Sequence, residues 1–132
     1  MRAVFDPNIL ISALLSPSGP PARALARWLA GDFELIVSEL LLGELEDALT
    51  YPKLRKRITT DEASELIDIL RRAAVVAPDP PPGSHRSPDP GDDYLLALAE
   101  AERALLVTGD AKLLGLGPEL PVITAASFVD AL

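Results

Sequence analysis

Four acidic residues stand out by their positions along the chain: Asp6, Glu44, Asp92 and Asp110. Asp6 and Asp110 follow short apolar runs that resemble strands, while Glu44 and Asp92 fall on or beside the apolar face of predicted helices. Carboxylates that converge in space suit a hard divalent cation, and such a cation can drive phosphodiester hydrolysis. The pattern therefore predicts a metal-assisted hydrolytic site.

Helical phase separates Glu44 from its acidic neighbours. The segment that Ser38 is expected to cap carries one apolar stripe at helical spacing, formed by Leu41, Leu42, Leu45, Ala48 and Leu49. Glu44 lies at the margin of that stripe, whereas Glu39, Glu46 and Asp47 point away from it. The alternative for Glu44 is a boundary side chain that reaches out to solvent.

The same reasoning favours Asp92 over the adjacent Asp93. Asp92 begins the stripe that continues through Leu95, Leu96 and Ala99, and it lies near a helix N-terminus, where the helix dipole favours an anion. Asp93 lies off this stripe and is kept as a supporting position. The alternative is helix capping, which is open for Asp6, Asp92 and Asp110 alike.

Composition narrows the kind of metal and partner. The chain has 132 residues, a formal net charge of −8, no cysteine and a single histidine, His85. Such a chain is expected to be one domain, residues 1–132, with an oxygen-based site that takes Mg²⁺ or Mn²⁺ before Zn²⁺. The absence of cysteine, of a signal peptide and of any long apolar run suggests a cytoplasmic protein without a membrane span.

Basic residues are clustered between residues 51 and 72, although the net charge of the chain is negative. The first part of this basic cluster consists of Lys53, Arg55, Lys56 and Arg57, which are candidates for contact with an RNA backbone. A solvated helix face or a protein-binding surface would explain the same run.

Strand and helix signals alternate along the chain. Strands are predicted at 2–5, 33–37, 73–77, 104–107 and 122–123, with helices between them, and residues 78–90 are predicted to form a loop because they hold six of the thirteen prolines. Trp28 and Leu29 are both expected to be buried. Alternation of this kind predicts an α/β fold with a central parallel sheet of four to five strands, covered on both faces. Ligands bind beyond the carboxyl ends of such strands, which is where Asp6 and Asp110 fall.

Four sequence blocks match a known family in order and at suitable spacing. They read VFDPNILISALLSPSGPPAR, SELLLGELEDALTYPKLRKR, DPGDDYLLALA and VTGDAKLL. Together they resemble PIN-domain ribonucleases, in particular a bacterial branch of toxin components from toxin–antitoxin systems. The resemblance implies a three-layer α/β/α domain, an acidic quartet at Asp6, Glu44, Asp92 and Asp110, and supporting positions at Asn8 and Thr108.

Two positions depart from the family pattern. Pro7 replaces the usual Thr or Ser between Asp6 and Asn8, and Lys112 stands where a second acid often follows the fourth block. Asp92 matches the third acid because it lies 18 residues before Asp110, the usual spacing in the family.

The resemblance implies a Mg²⁺- or Mn²⁺-dependent endoribonuclease that cuts single-stranded RNA and leaves a 5′-phosphate. It also implies an antitoxin partner and a homodimer. Pro7, Lys112 and the negative charge motivate an alternative, a metal-binding module without catalysis that acts through protein or RNA partners. A phosphatase or receiver domain is disfavoured, because the second acid that such phosphatases need is replaced here by Asn8.

Overall fold

The computed structural model describes residues 1–81, 89–116 and 119–132. His85 and most of the predicted proline-rich loop, residues 82–88, lie outside the described residues. The strands are β1 Arg2–Phe5, β2 Glu34–Val37, β3 Val75–Val76, β4 Leu105–Val107 and β5 Val122–Ile123. The helices are α1 Pro7–Leu15, α2 Pro20–Leu29, α3 Glu39–Leu49, α4 Pro52–Arg55, α5 Thr60–Ala73, α6 Asp93–Ala101, α7 Ala111–Leu114 and α8 Ala125–Ala131, and a 3₁₀ turn at Pro90–Asp92 leads into α6.

The strands form one parallel sheet in the order β3-β2-β1-β4-β5. Strand β1 is central, and its Val4 pairs with Ile36 of β2 on one side and with Leu106 of β4 on the other. The predicted α/β class with a parallel sheet is therefore confirmed. The chain builds outwards from β1 to β3 and then returns to add β4 and β5 on the other side, so the topological switch point lies between β1 and β4.

Helix starts follow local sequence signals. Ser38 caps α3 by accepting from the Leu41 amide, and Thr124 caps α8 by accepting from the Ser127 amide. Thr59 and Glu62 form a reciprocal capping box at the start of α5. All three caps were predicted from sequence, and each helix begins within one residue of its expected start.

The core is continuous across the central strands. The three phenylalanines of the chain, Phe5, Phe33 and Phe128, pack together with ring centroids 4.8–6.0 Å apart, which ties β1 to the start of β2 and to α8. Trp28 is buried as predicted, but the expectation for Leu29 was wrong, since Leu29 is 56% exposed. Successive helical residues point about 100° apart, so the rotation that buries Trp28 turns Leu29 towards solvent.

Candidate active site

Asp6 is the most buried acid of the predicted quartet. It directly follows the central strand and is only 6% exposed. Its backbone amide donates to the Val107 carbonyl at 2.9 Å, which extends the pairing of β1 with β4. One carboxylate oxygen, Oδ1, accepts from the backbone amide of Asn8 at 3.0 Å, and the other, Oδ2, accepts from the Thr108 hydroxyl at 2.9 Å. Both oxygens therefore have fixed orientations.

Thr108 connects two of the acids. Its fully buried hydroxyl donates to Asp6 and accepts from the backbone amide of Asp110 at 3.1 Å. Its own amide donates to the Ile123 carbonyl at 3.0 Å. Asp110 then caps α7 by accepting from the Lys112 amide at 2.9 Å. A single threonine thus joins the carboxyl ends of β1, β4 and β5 at the switch point of the sheet.

Glu44 reaches the site from α3. The apolar stripe of this helix is buried at Leu41, Leu42, Leu45 and Leu49, which leaves Glu44 at its exposed margin as predicted. Its Oε2 atom accepts a hydrogen bond of 2.5 Å from the hydroxyl of Tyr94 on α6. The side chain is therefore held towards α6 by a specific partner.

The pKa of Asp92 shows that the predicted acids lie close enough to affect one another. Burial, followed by the negative charges of Asp6, Asp89, Asp110 and Glu44, raises the pKa of Asp92 to about 6. Three of these four charges are the other members of the predicted quartet, so the fold gathers carboxylates from four separate segments into one field. Among the described residues, the capping hydrogen bond at this turn is made by Asp89, which accepts from the Gly91 amide at 2.9 Å. The capping alternative thus applies to Asp89 rather than to Asp92.

The four acids Asp6, Glu44, Asp92 and Asp110 are called the acid rim, and their donor atoms fit a hard divalent cation. The candidate ligands are carboxylate oxygens, which Mg²⁺ and Mn²⁺ prefer, and a cation would offset the repulsion that raises the pKa of Asp92. In the ranges that the structure describes, no three Asp, Glu or His side chains stand close enough to hold one ion between them. The four acids share one electrostatic field without forming such a cluster.

The supporting residues have distinct positions. Asn8 contacts Asp6 through its backbone amide, while its side chain is exposed. Pro7 occupies the first position of α1, where a backbone N–H would have no partner within the helix. The proline therefore leaves the capping of α1 by Asp6 intact. Asp93 is the first residue of α6 and is partly buried, and its supporting role stays a prediction.

The basic candidates are exposed residues in α4 and directly after it. Lys53 and Arg55 belong to α4, and Lys56 and Arg57 follow it, all of them exposed. The Arg57 guanidinium donates to the carbonyl of Leu15 at 3.5 Å, at the end of α1 opposite to Asp6. The nine residues of α1 separate the two ends by about 13 Å. Arg57 therefore lies near the end of α1 that is remote from Asp6, and the contact of the basic cluster with RNA stays a prediction.

Two residues near the rim were missed by reasoning from sequence. Burial, the hydrogen bond to Glu44 and the charges of Glu44, Asp6 and Asp79 raise the pKa of the Tyr94 phenol above its usual range, so the hydroxyl remains a donor. Asp79 follows β3, and its Oδ2 accepts from the Leu40 amide at 3.1 Å. Its position after an apolar strand was a usable signal, the same one that marks Asp6 and Asp110. Nothing in the sequence linked Tyr94 to Glu44.

The fold and the acid rim together define a small α/β domain with a candidate hydrolytic site at the switch point of a parallel sheet. A model of the PIN domain family matches residues 2–112, and the chain therefore belongs to the PIN domain family. The resemblance inferred from the four sequence blocks is confirmed.

Two known proteins are similar over most of the chain. An uncharacterized protein from Methanocaldococcus jannaschii is 27% identical over 119 residues, which cover 90% of this chain and 77% of that protein. The crystal structure of VapBC2 from Rickettsia felis, bound to a DNA fragment from their promoter, contains a chain that superposes with a TM-score of 0.68 at 20% identity. That match covers 94% of this chain and 98% of the other, and it supports the fold. Within the described ranges, no helix has the length and apolar character needed to cross a membrane.

Proposed function

We propose that this protein is a divalent-metal-dependent endoribonuclease that hydrolyses phosphodiester bonds in single-stranded RNA. PIN domains are generally nucleases, and this chain belongs to their family over residues 2–112. The observation that carries the proposal is the convergence of acids from four separate segments on the field around Asp92. Charge of this density at a strand-end rim is typical of sites that bind hard cations.

Asp6, Glu44, Asp92 and Asp110 would hold Mg²⁺ or Mn²⁺. When bound, such a cation makes water more acidic and places positive charge against the phosphate oxygens. The protein supplies orientation: the Thr108 hydroxyl donates to the Asp6 carboxylate and accepts from the backbone amide of Asp110, and the Tyr94 hydroxyl donates to one oxygen of Glu44. Asp92, whose pKa is raised to about 6, is mostly ionised at neutral pH, which favours cation binding there.

We also propose that the protein is the toxin of a toxin–antitoxin pair and acts in the cytoplasm. The sequence blocks resemble the toxin branch of the family, and the fold is similar to that of a chain in the VapBC2 structure from Rickettsia felis. An antitoxin encoded beside this chain and a homodimer are the partners that this assignment implies. Co-expression with the products of neighbouring reading frames, followed by size-exclusion chromatography, tests for a bound antitoxin. The same chromatography shows whether the chain forms a homodimer.

The test of the activity is RNA cleavage by the purified protein with Mn²⁺ and with EDTA. Cleavage of single-stranded RNA should require the metal and fall at least about a hundredfold in Asp6→Asn and Asp92→Asn. Asp47→Asn is a matched control, because Asp47 is an exposed acid on α3 and is not among the charges that raise the pKa of Asp92. Equal cleavage in EDTA, or full activity of Asp6→Asn, would refute the proposal.

A metal-binding module without catalysis is the second candidate. Lys112 favours the module without catalysis, since a positively charged side chain follows the fourth acid at a position where a further carboxylate often stands. Pro7 no longer favours it, because Asp6 keeps its capping bond to Asn8. A protein that binds Mn²⁺ in calorimetry but leaves a varied set of RNAs uncut would be such a module.

A further inference from the structure

Glu44 differs from the other acids of the rim in how it is positioned. Asp6 and Asp110 follow β-strands and accept hydrogen bonds from backbone amides two residues further along the chain. Glu44 projects from the exposed margin of α3 on a longer side chain. Ordering a free glutamate costs up to about 2 kcal/mol of side-chain entropy, so a cation would bind it weakly unless another group restrained it.

Tyr94 provides that restraint. Its ring is partly buried and packs against the core, so the position of its hydroxyl is determined by α6 rather than by solvent. The hydroxyl donates to Oε2 of Glu44 across 50 residues of sequence, and Tyr94 lies two residues after Asp92. The hydrogen bond therefore links α3, which carries the second acid, to α6, which begins directly after the third.

We infer that Tyr94 is a positioning residue of the metal site: its hydroxyl engages one oxygen of Glu44 and directs the other oxygen towards a divalent cation. This inference rests on the proposed function, because it assigns Glu44 to a cation. A phenol is suited to the role, since it has a single proton to donate and adds no positive charge that would compete with the metal. Partners that orient a metal ligand in this way typically change metal affinity by about 10–100-fold when they are removed.

The experiment is Mn²⁺ binding measured by isothermal titration calorimetry on the full chain. Tyr94→Phe removes only the hydroxyl, and we expect it to weaken Mn²⁺ binding about tenfold. Tyr51→Phe is the matched control, because Tyr51 is the other tyrosine of the chain and is 60% exposed. It should bind Mn²⁺ as the wild type does. Thermal unfolding checks that both variants keep the fold.

A double-mutant cycle separates positioning from a general structural effect. If Tyr94 acts through Glu44, Glu44→Gln should weaken binding, and adding Tyr94→Phe to it should weaken binding little further. In RNA cleavage, Tyr94→Phe should lower kcat at limiting Mn²⁺ with an unchanged KM for RNA, and excess Mn²⁺ should restore kcat. Additive losses in the cycle, unchanged affinity in Tyr94→Phe, or no Mn²⁺ binding by the wild type would overturn the inference.

The two proposals can fail separately. If the wild type binds Mn²⁺ but cuts no RNA, the ribonuclease proposal fails, while the affinities of Tyr94→Phe and the double variant still decide the role of Tyr94. If RNA is cut and the hydroxyl makes no difference to Mn²⁺ affinity, the positioning role fails and the ribonuclease stands.

Discussion

The raised pKa of Asp92 makes the stability of the protein depend on pH. Its pKa is raised to about 6, first by burial and then by the neighbouring acids. Below the ordinary aspartate pKa the group is protonated in both folded and unfolded chains. Between that value and pH 6 the folded protein keeps a proton that the unfolded chain has lost, so stability falls as the pH rises through this window. Above pH 6, Asp92 is ionised in both states and lowers the free energy of unfolding by its full amount.

Asp92→Asn should therefore stabilise the metal-free protein in a pH-dependent way. The shift corresponds to about 3 kcal/mol without screening, and because Asp92 is partly exposed we expect about 1 kcal/mol. Urea denaturation in EDTA should show little difference from wild type near pH 4 and the full gain at pH 7.5. Asp130→Asn, which removes an exposed acid at the far end of α8, is the control. An equal gain for Asp92→Asn at both pH values would contradict the assignment.

Single residues were predictable where their position depends on local periodicity. Asp6 and Asp110 were found from strand ends, and Glu44 and Asp92 from helical phase, and the structure places all four in one electrostatic field. Tyr94 was not predictable, because its contact with Glu44 depends on how α3 and α6 approach each other. Asn8 was expected to be a supporting position beside Asp6, and its observed contact with Asp6 uses the backbone amide.

The end of α6 shows how an element can tolerate local strain. Arg103 has a φ of 52°, in the left-handed region that usually favours glycine. The flanking amides complete a Schellman motif: Arg103 donates to the Glu100 carbonyl at 3.2 Å and Ala104 donates to the Ala99 carbonyl at 2.8 Å. The motif ends α6 at Ala101 and directs the chain into β4.

Arg103→Gly should stabilise the protein by relieving that strain. The left-handed conformation costs about 1–2 kcal/mol for a residue with a Cβ, and the added freedom of glycine in the unfolded chain offsets part of this. We expect a net gain of about 0.5–1 kcal/mol in the free energy of unfolding, measured in urea. Arg103→Ala separates backbone strain from loss of the guanidinium, since it keeps the Cβ and should show no such gain. A larger gain for alanine than for glycine would exclude this explanation.

The ends of helices and strands could be predicted from sequence where neighbouring residues determine them. The caps at Ser38, Thr59 and Thr124 were all identified, because a capping side chain bonds to amides within three residues. Strand β3 was expected over residues 73–77 and is confined to Val75–Val76. Its length depends on the short stretch of β2 that it pairs with, which no local pattern records.

At the scale of the whole molecule, strand order determines which acids meet. The alternation of strands and helices predicted a parallel sheet, but the same alternation is compatible with several orders. The observed order makes β1 and β4 neighbours, so Asp6 and Asp110 meet at the switch point through Thr108. That placement depends on long-range packing, including the aromatic cluster that joins β1 to α8.

The concentration of acids at one rim, in a chain of net charge −8, also makes global stability depend on cations. A ligand that binds only the folded state stabilises it by about 2.7 kcal/mol at one hundred times its Kd, so saturating Mn²⁺ should raise Tm by about 5–10 °C. NaCl at the same ionic strength screens surface repulsion without entering a site and should raise Tm less. Asp110→Asn should lose most of the Mn²⁺-specific increase, while Asp47→Asn should keep it. If differential scanning calorimetry shows equal increases with NaCl and Mn²⁺, the cation acts by general screening and the rim holds no specific metal site.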